Sequence, residues 1–198
     1  GLVEQIVPGR PDADGGVWDA ARGCLTVDDA NVILRPPGAW SLSARKPGHL
    51  GRYYGVATSP SGREQEEPRA RFAFGGPAPP GRYDVWARYA ASADGAWGVP
   101  VDVQHAGGTA TRYLDQRIAG GTWVYLGTYP MVAGSAATVR TRGVAGGVVA
   151  DAVEFCTSPY DEGPRVGDDG LGAGAPCARS WLEWLDNGGG TFCAEGAD

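Results

Sequence analysis

The chain has 198 residues, 42% of them hydrophobic, enough to bury a core and too apolar for a disordered polymer. Its 33 glycines and 15 prolines amount to about twice their usual share, which excludes a helical bundle and favours short strands joined by turns. A net charge of −6 argues against nucleic acid as a partner, and no apolar run approaches the roughly 18 residues needed to insert into a membrane.

Residues 1–23 carry a short apolar start and then Gly, Pro and Asp, the pattern of an ordered arm. They lack the basic-then-apolar order of a secretion leader, so a secreted form would already have lost its signal. From Cys24 to Phe155 strand signals recur at the spacing of an all-β sandwich. LTVDDANVIL (25–34) predicts a strand or strand pair, and FAF (72–74) a short strand. In YDVWARYA (83–90), Tyr83, Val85, Ala87 and Tyr89 share one face, with Asp84, Trp86 and Arg88 on the other. VPVDVQHA (99–106) alternates likewise, and TWVYLGTY (122–129), ATVRT (137–141) and GVVADAVEF (147–155) complete the set. TSPSGREQEEPR (58–69) and residues 157–176 read as loops. Near the C-terminus Ser180 is placed to cap a short helix. Its apolar face would be Trp181, Leu182, Trp184 and Leu185, with Asn187-Gly188 as the stop. The expected organisation is an arm (1–23), a sandwich (24–156) and a Cys-containing tail (157–198) packed on it.

Cys24, Cys156, Cys177 and Cys193 form an even set without the close CxxC spacing of a zinc site. Two disulfides in an oxidising compartment are expected. Of the three possible connectivities, Cys24–Cys156 and Cys177–Cys193 are favoured. The first ties the start of the sandwich to its last strand, and the second closes the tail.

GRYDVWARYAAS (81–92), VPVDVQHAGGTAT (99–111), LDQRIAGGTWVYLGTYPMVAG (114–134) and GGVVADAVEF (146–155) together resemble the golvesin C-terminal-like domain, also described as the xanthan-lyase carbohydrate-binding-like module. VDDANV (27–32), GAWSLS (38–43) and GHLGRYYGV (48–56) fit the opening of the same module. The resemblance covers residues 25–156. It implies an antiparallel β-sandwich of the galactose-binding, jelly-roll type, a non-catalytic extracellular part that attaches to carbohydrate or surface matrix.

A glycan site needs exposed rings for the CH faces of sugars, beside polar groups for the hydroxyls. Trp97 lies in the ADGAWG loop between two strands, where scaffolds of this kind carry function. Trp40, Tyr53 and Tyr54 are similar candidates in the early loop region, while Trp123 reads as core. Asp151, on the apolar face of its strand, must be paired with an arginine, a Trp N–H or backbone amides, or else contact a ligand. Asp115, Gln116 and Arg117 form a polar cluster before the GGTW strand; Gln116 and Arg117 are read as a structural network first and as ligand contacts second. Asp28-Asp29 and Asp168-Asp169 are the candidates for structural calcium, without an EF-hand pattern. His105 and Asp102 fall on opposite faces, and no G-x-S-x-G or H-E-x-x-H is present.

The reading is an extracellular, non-enzymatic glycan-binding or surface-binding module. The alternative is a structural or interaction subunit of an extracellular filament, cell wall or flagellar surface assembly, docked on a matrix glycoprotein. A polysaccharide-active enzyme using Asp151 is a third reading, against which stands the lack of a second flanking carboxylate.

Overall fold

Alternation of apolar and polar residues sets the architecture. The structure, a computed structural model, describes residues 16–28, 31–62 and 65–159. Thirteen strands follow one another: β1 (Val17–Asp19), β2 (Cys24–Val27), β3 (Ile33–Arg35), β4 (Ser41–Ser43), β5 (Tyr54–Thr58), β6 (Arg69–Ala73), β7 (Gly81–Arg88), β8 (Val99–His105), β9 (Gly108–Leu114), β10 (Val124–Met131), β11 (Ala136–Arg140), β12 (Gly147–Ala150) and β13 (Ala152–Thr157). Sheet A has the order β1-β2-β13-β7-β10, sheet B β3-β6-β11-β8-β9 and the smaller sheet C β12-β5-β4, with every strand pair antiparallel. The chain divides into two compact units, residues 1–158 and 159–198. The β-sandwich is the first. No helix among the described residues is long and apolar enough to cross a membrane.

The inward face of β7 is the one its sequence predicts: Tyr83, Val85 and Ala87 are buried, against Leu25 and Val27 of β2 and Val153 and Phe155 of β13. Sheet B supplies Ala70, Phe72, Val99, Val101, Val103, Ala137 and Val139 to the same core. Phe74 meets Tyr83 and Phe155 edge-on, with centroids 4.8 and 5.5 Å apart, geometry that adds about 0.5–1.5 kcal/mol per pair beyond area burial. Cys24 and Cys156 are register partners on β2 and β13 and are joined as a disulfide. The Cys177–Cys193 pair, the tail helix at 180–188 and its packing lie outside the described residues.

Two sequence expectations change. GVVADAVEF is not one strand: β12 pairs with β5 in sheet C, and β13 enters sheet A between β2 and β7. The break falls at Asp151. The residues on both sides are buried whichever way they point, so alternation could not reveal the turn. Val17–Asp19, within the stretch read as an arm, forms the edge strand of sheet A.

Candidate functional site

Three loops meet at the end of sheet A where β7 finishes: residues 44–53, 89–98 and 115–123. Backbone bonds knit them. Ser92 N–H donates to the Gln116 carbonyl at 3.3 Å, Gln116 N–H to Ala96 at 2.8 Å, and Gly121 N–H to Tyr89 at 3.0 Å. Tyr89 Oη donates to the Asp115 carbonyl and Arg88 Nε to that of Gly48, each at 3.1 Å. The first and third loops touch through glycines. Gly48 has φ +91°, and a Cβ there would lie 2.9 Å from the Gly121 Cα, closer than a side chain can sit.

On this rim stands Trp97, 63% exposed. The Arg117 guanidinium lies over its ring, 5.8 Å from the centroid, within cation–π range. Arg117 is itself held: Nε donates to Asp115 Oδ1 at 2.8 Å and Nη2 to Oδ2 at 2.7 Å. This fork-to-carboxylate pairing fixes the plane of the guanidinium. Hydrogen bonds from the Arg117 side chain and backbone bring the Asp115 pKa down to about 2. Ala119 adopts a left-handed φ of 58°, and Thr122 Oγ1 donates to its carbonyl at 2.6 Å, so the loop is shaped just after the exposed Ile118. The arrangement offers a flat apolar ring beside guanidinium N–H donors, the two surfaces a sugar presents partners for.

The structure brings Trp97 and Arg117 together; of the other candidates, Gln116 and Tyr53 lie in the rim loops, and Trp40, Tyr54 and Asp151 are buried. Trp40 is buried and its Nε1 donates to the Arg35 carbonyl at 3.2 Å. Tyr54 is buried; its Oη accepts from Ser43 Oγ and from the Lys46 N–H. Tyr53 is half-buried. Asp151, 2% exposed, accepts the Leu50 N–H on both carboxylate oxygens at 3.1 Å, a backbone amide being one of the several partners the sequence left open. Gln116, 1% exposed, clasps Val149: its Nε2 donates to the Val149 carbonyl at 2.7 Å, and its Oε1 accepts the Val149 N–H at 2.8 Å. It thereby stands in for a neighbouring strand along the edge of β12. Trp123, expected in the core, is half-buried with Arg88 5.8 Å from its ring.

Sequence reasoning missed two groups. Lys46 Nζ lies 3.5 Å from Asp94 Oδ1 and donates to Ser92 Oγ; its contacts lie more than forty positions away, with no sequence signal. Bonds from Ser92, then the Lys46 charge, lower the Asp94 pKa. Trp86 and Tyr125, register partners on β7 and β10, pack at 4.8 Å on the outer face of sheet A. Alternation places Trp86 outward, and a solvent-side Trp on a central strand was a readable signal. Glu154, Cys24 and Cys156 cluster within ligand distance of one another, but the two sulfurs are bonded to each other and Glu154 takes the Arg22 guanidinium at 3.0 and 3.1 Å. Asp29 and Asp168-Asp169 lie outside the described residues.

Residues 25–157 match the golvesin C-terminal domain. The chain belongs to that family. Over 80 residues this golvesin domain is 44% identical to a xanthan lyase of Bacillus sp. (strain GL1), a match to 38% of this chain and 9% of the lyase. The solved xanthan lyase of Paenibacillus superposes with a TM-score of 0.59 at 33% identity, covering 71% of this chain and 14% of that enzyme. A family 35 carbohydrate-binding module from Clostridium thermocellum aligns at a TM-score of 0.47 and 14% identity, over 68% of this chain and 98% of the module. The golvesin domain therefore spans a small fraction of the length of the lyases it matches.

Proposed function

We propose that this golvesin domain is a non-catalytic, extracellular module that holds carbohydrate on the rim formed by residues 44–53, 89–98 and 115–123. The observation that carries this reading is Trp97, a largely exposed ring braced from one side by an arginine that is itself fixed by Asp115. An indole left in water at a loop tip forgoes the favourable burial open to it. A pyranose face supplies that burial, while the free guanidinium N–H groups meet its hydroxyls. Similarity to part of two xanthan lyases supports a polysaccharide as the ligand class. The disulfide supports an oxidising, extracellular setting.

The rim carboxylates favour holding over turnover. A general acid needs a raised pKa, whereas Arg117 lowers that of Asp115, and Ser92 with Lys46 lowers that of Asp94. Asp151 is buried behind the Leu50 amide. The test is affinity electrophoresis or calorimetry against a polysaccharide panel with wild type and Trp97→Ala. The expected outcome is at least about tenfold weaker binding in the variant, the worth of a single stacked ring. Equal affinity of the two proteins for every retained glycan would refute the reading.

A second reading rests on Tyr113 (71% exposed) and Ile118 (63% exposed), which with Trp97 give this part of the molecule several large apolar side chains in solvent. Such surfaces also mark protein interfaces. An assembly subunit would sediment as an oligomer or co-purify with a stoichiometric partner, and Tyr113→Ser with Ile118→Ser would release it.

A further inference from the structure

A strictly alternating strand would put Tyr125, Gly127 and Tyr129 on one face. β10 does not alternate. Its register on β7 shifts between Tyr125 and Gly127, so Tyr125 stands opposite Trp86, Thr128 opposite Asp84 and Tyr129 opposite Tyr83. The extra residue separates the two tyrosines: Tyr129 turns into the core, 6% exposed, and Tyr125 turns outward, 38% exposed. The bulge is anchored from within. Tyr129 Oη and Arg112 Nε each donate to the Leu126 carbonyl at 2.8 Å. A Cβ on Gly127, where φ is +134°, would meet Tyr129 Oη at 2.5 Å. Irregularities of this kind re-aim a side chain and are over-represented beside functional sites.

What the bulge builds is a fixed aromatic surface on the outer face of sheet A. Tyr125 packs on Trp86 with centroids 4.8 Å apart. Its hydroxyl meets Thr128 Oγ1, and Thr128 spends its only O–H on Asp84 Oδ1, so the Tyr125 O–H is the donor to Thr128. The ring is thereby held at both ends, and the oxygens of Tyr125 and Asp84 keep lone pairs for incoming O–H groups. Two residues back, Trp123 lies under the Arg88 guanidinium, 5.8 Å from its centroid; Arg88 is the next outward residue of β7 after Trp86. On the other flank Glu154, the register partner of Trp86, takes Arg22 at 3.0 and 3.1 Å and Thr26 Oγ1 at 3.0 Å. A stabilising cross-strand pair needs neither the bulge nor the hydroxyl chain. Rings already immobilised, by contrast, lose little further freedom when a ligand lands on them.

We infer that Trp86, Tyr125 and Trp123 form a second carbohydrate-binding surface, a platform for the CH faces of a neutral, all-equatorial polysaccharide, a cellulose-type glucan. Equatorial hydroxyls leave both faces of each pyranose flat and apolar, the shape that packs on an aromatic plane. They also point sideways, toward acceptors such as Tyr125 Oη and Asp84. The Asp84 carboxylate at this edge repels an acidic chain. The surface shares with the rim only the reading of the chain as a glycan-binding module; Trp97, Asp115 and Arg117 take no part in it.

The test takes the full chain through affinity gels containing hydroxyethylcellulose, and titrates it with cellohexaose while the indole N–H signals are followed by NMR. The proteins are wild type, Trp86→Ala, Tyr125→Ala, Thr128→Val and Trp97→Ala. Retention of the wild type should persist from about 50 to about 500 mM salt, since no ion pair carries it. Cellohexaose should shift the Trp86 and Trp123 signals. Trp86→Ala and Tyr125→Ala should each weaken retention about tenfold, the worth of a stacked ring. Thr128→Val, which keeps both rings but frees the tyrosine, should lose a smaller factor. Should Trp86→Ala fail to fold, the more exposed Tyr125→Ala carries the test. Wild-type retention in folded Tyr125→Ala, absence of retention in the wild type, or retention that salt abolishes would overturn the inference. So would a Tyr125→Ala protein that differs from wild type only in sedimentation, the sign of a protein partner on this face. Trp97→Ala tells the two surfaces apart. The Trp86 and Trp123 shifts should survive it, and undiminished retention of that variant would remove the rim while leaving the platform.

Discussion

Asp115 titrates at about 2 against an ordinary 3.8, mainly because the Arg117 side chain, and then the Arg117 backbone N–H, donate to it. Its folded value lies below the unfolded one, so the pair's contribution is complete above about 3.8 and fades as pH falls toward about 2. Glycan affinity and Trp97 fluorescence follow the folded-state carboxyl, so they should hold steady from neutrality through about pH 3.8 and fall off only as pH approaches about 2. Asp115→Asn should abolish that acid limb, and Trp97 emission against pH checks it. The same residues show what a sequence can and cannot tell. Trp97 was legible because a tryptophan between two alternating strands, flanked by glycine, has no inward position to take. Trp40 and Tyr54 were not, because an aromatic in a Gly- and Pro-rich stretch looks alike whether it points into the core or out. Only the partners, the Arg35 carbonyl and Ser43 with Lys46, decide.

Among the elements, the long alternating strands β7 and β8 were readable because one face is core and the other is solvent-side. The three-residue β1 and β4, and the half-exposed β9, carry too few buried residues to register a period. β12 and β13 failed for the opposite reason, being buried on both faces from Val148 to Phe155. What holds the rim to these elements is Gln116. Gln116→Leu should leave the Val149 N–H and C=O buried and unpaired, at a cost of about 2–4 kcal/mol for the two groups, read by urea unfolding. It should also loosen Arg117, weakening glycan binding more than Gln116→Asn does. Gly48→Ala forces a left-handed residue against Gly121. It should cost roughly 1–3 kcal/mol, with the loss appearing as faster amide exchange in 44–53 and 115–123.

At the scale of the molecule, Cys24 and Cys156 are 132 positions apart in sequence and adjacent in sheet A. The bridge closes nearly the whole sandwich into one loop. Replacing both cysteines by serine should lower stability by about 2–5 kcal/mol, since the unfolded chain regains the freedom the crosslink removes. Calorimetry with and without reductant checks this, and only the wild type should respond. The register also orients the module. Cys156 pairs with Asp84 near the start of β7, whereas the rim loops gather past Arg88 at its end. Chain arriving at Gly23 and leaving after Thr157, which are hydrogen-bonded to each other at 2.8 Å, is thus remote from Trp97.

That adjacency has a mechanical side. Tension between the two flanks, as when a moving matrix tugs on a tethered protein, can peel the three-residue β1 from β2 and then meets a covalent sulfur–sulfur link. The enclosed residues bear no share of such a pull while the link is oxidised. In a pulling experiment the oxidised module should lengthen only by the short segment from β1 to Cys24, and the reduced one by the full contour of the released strands.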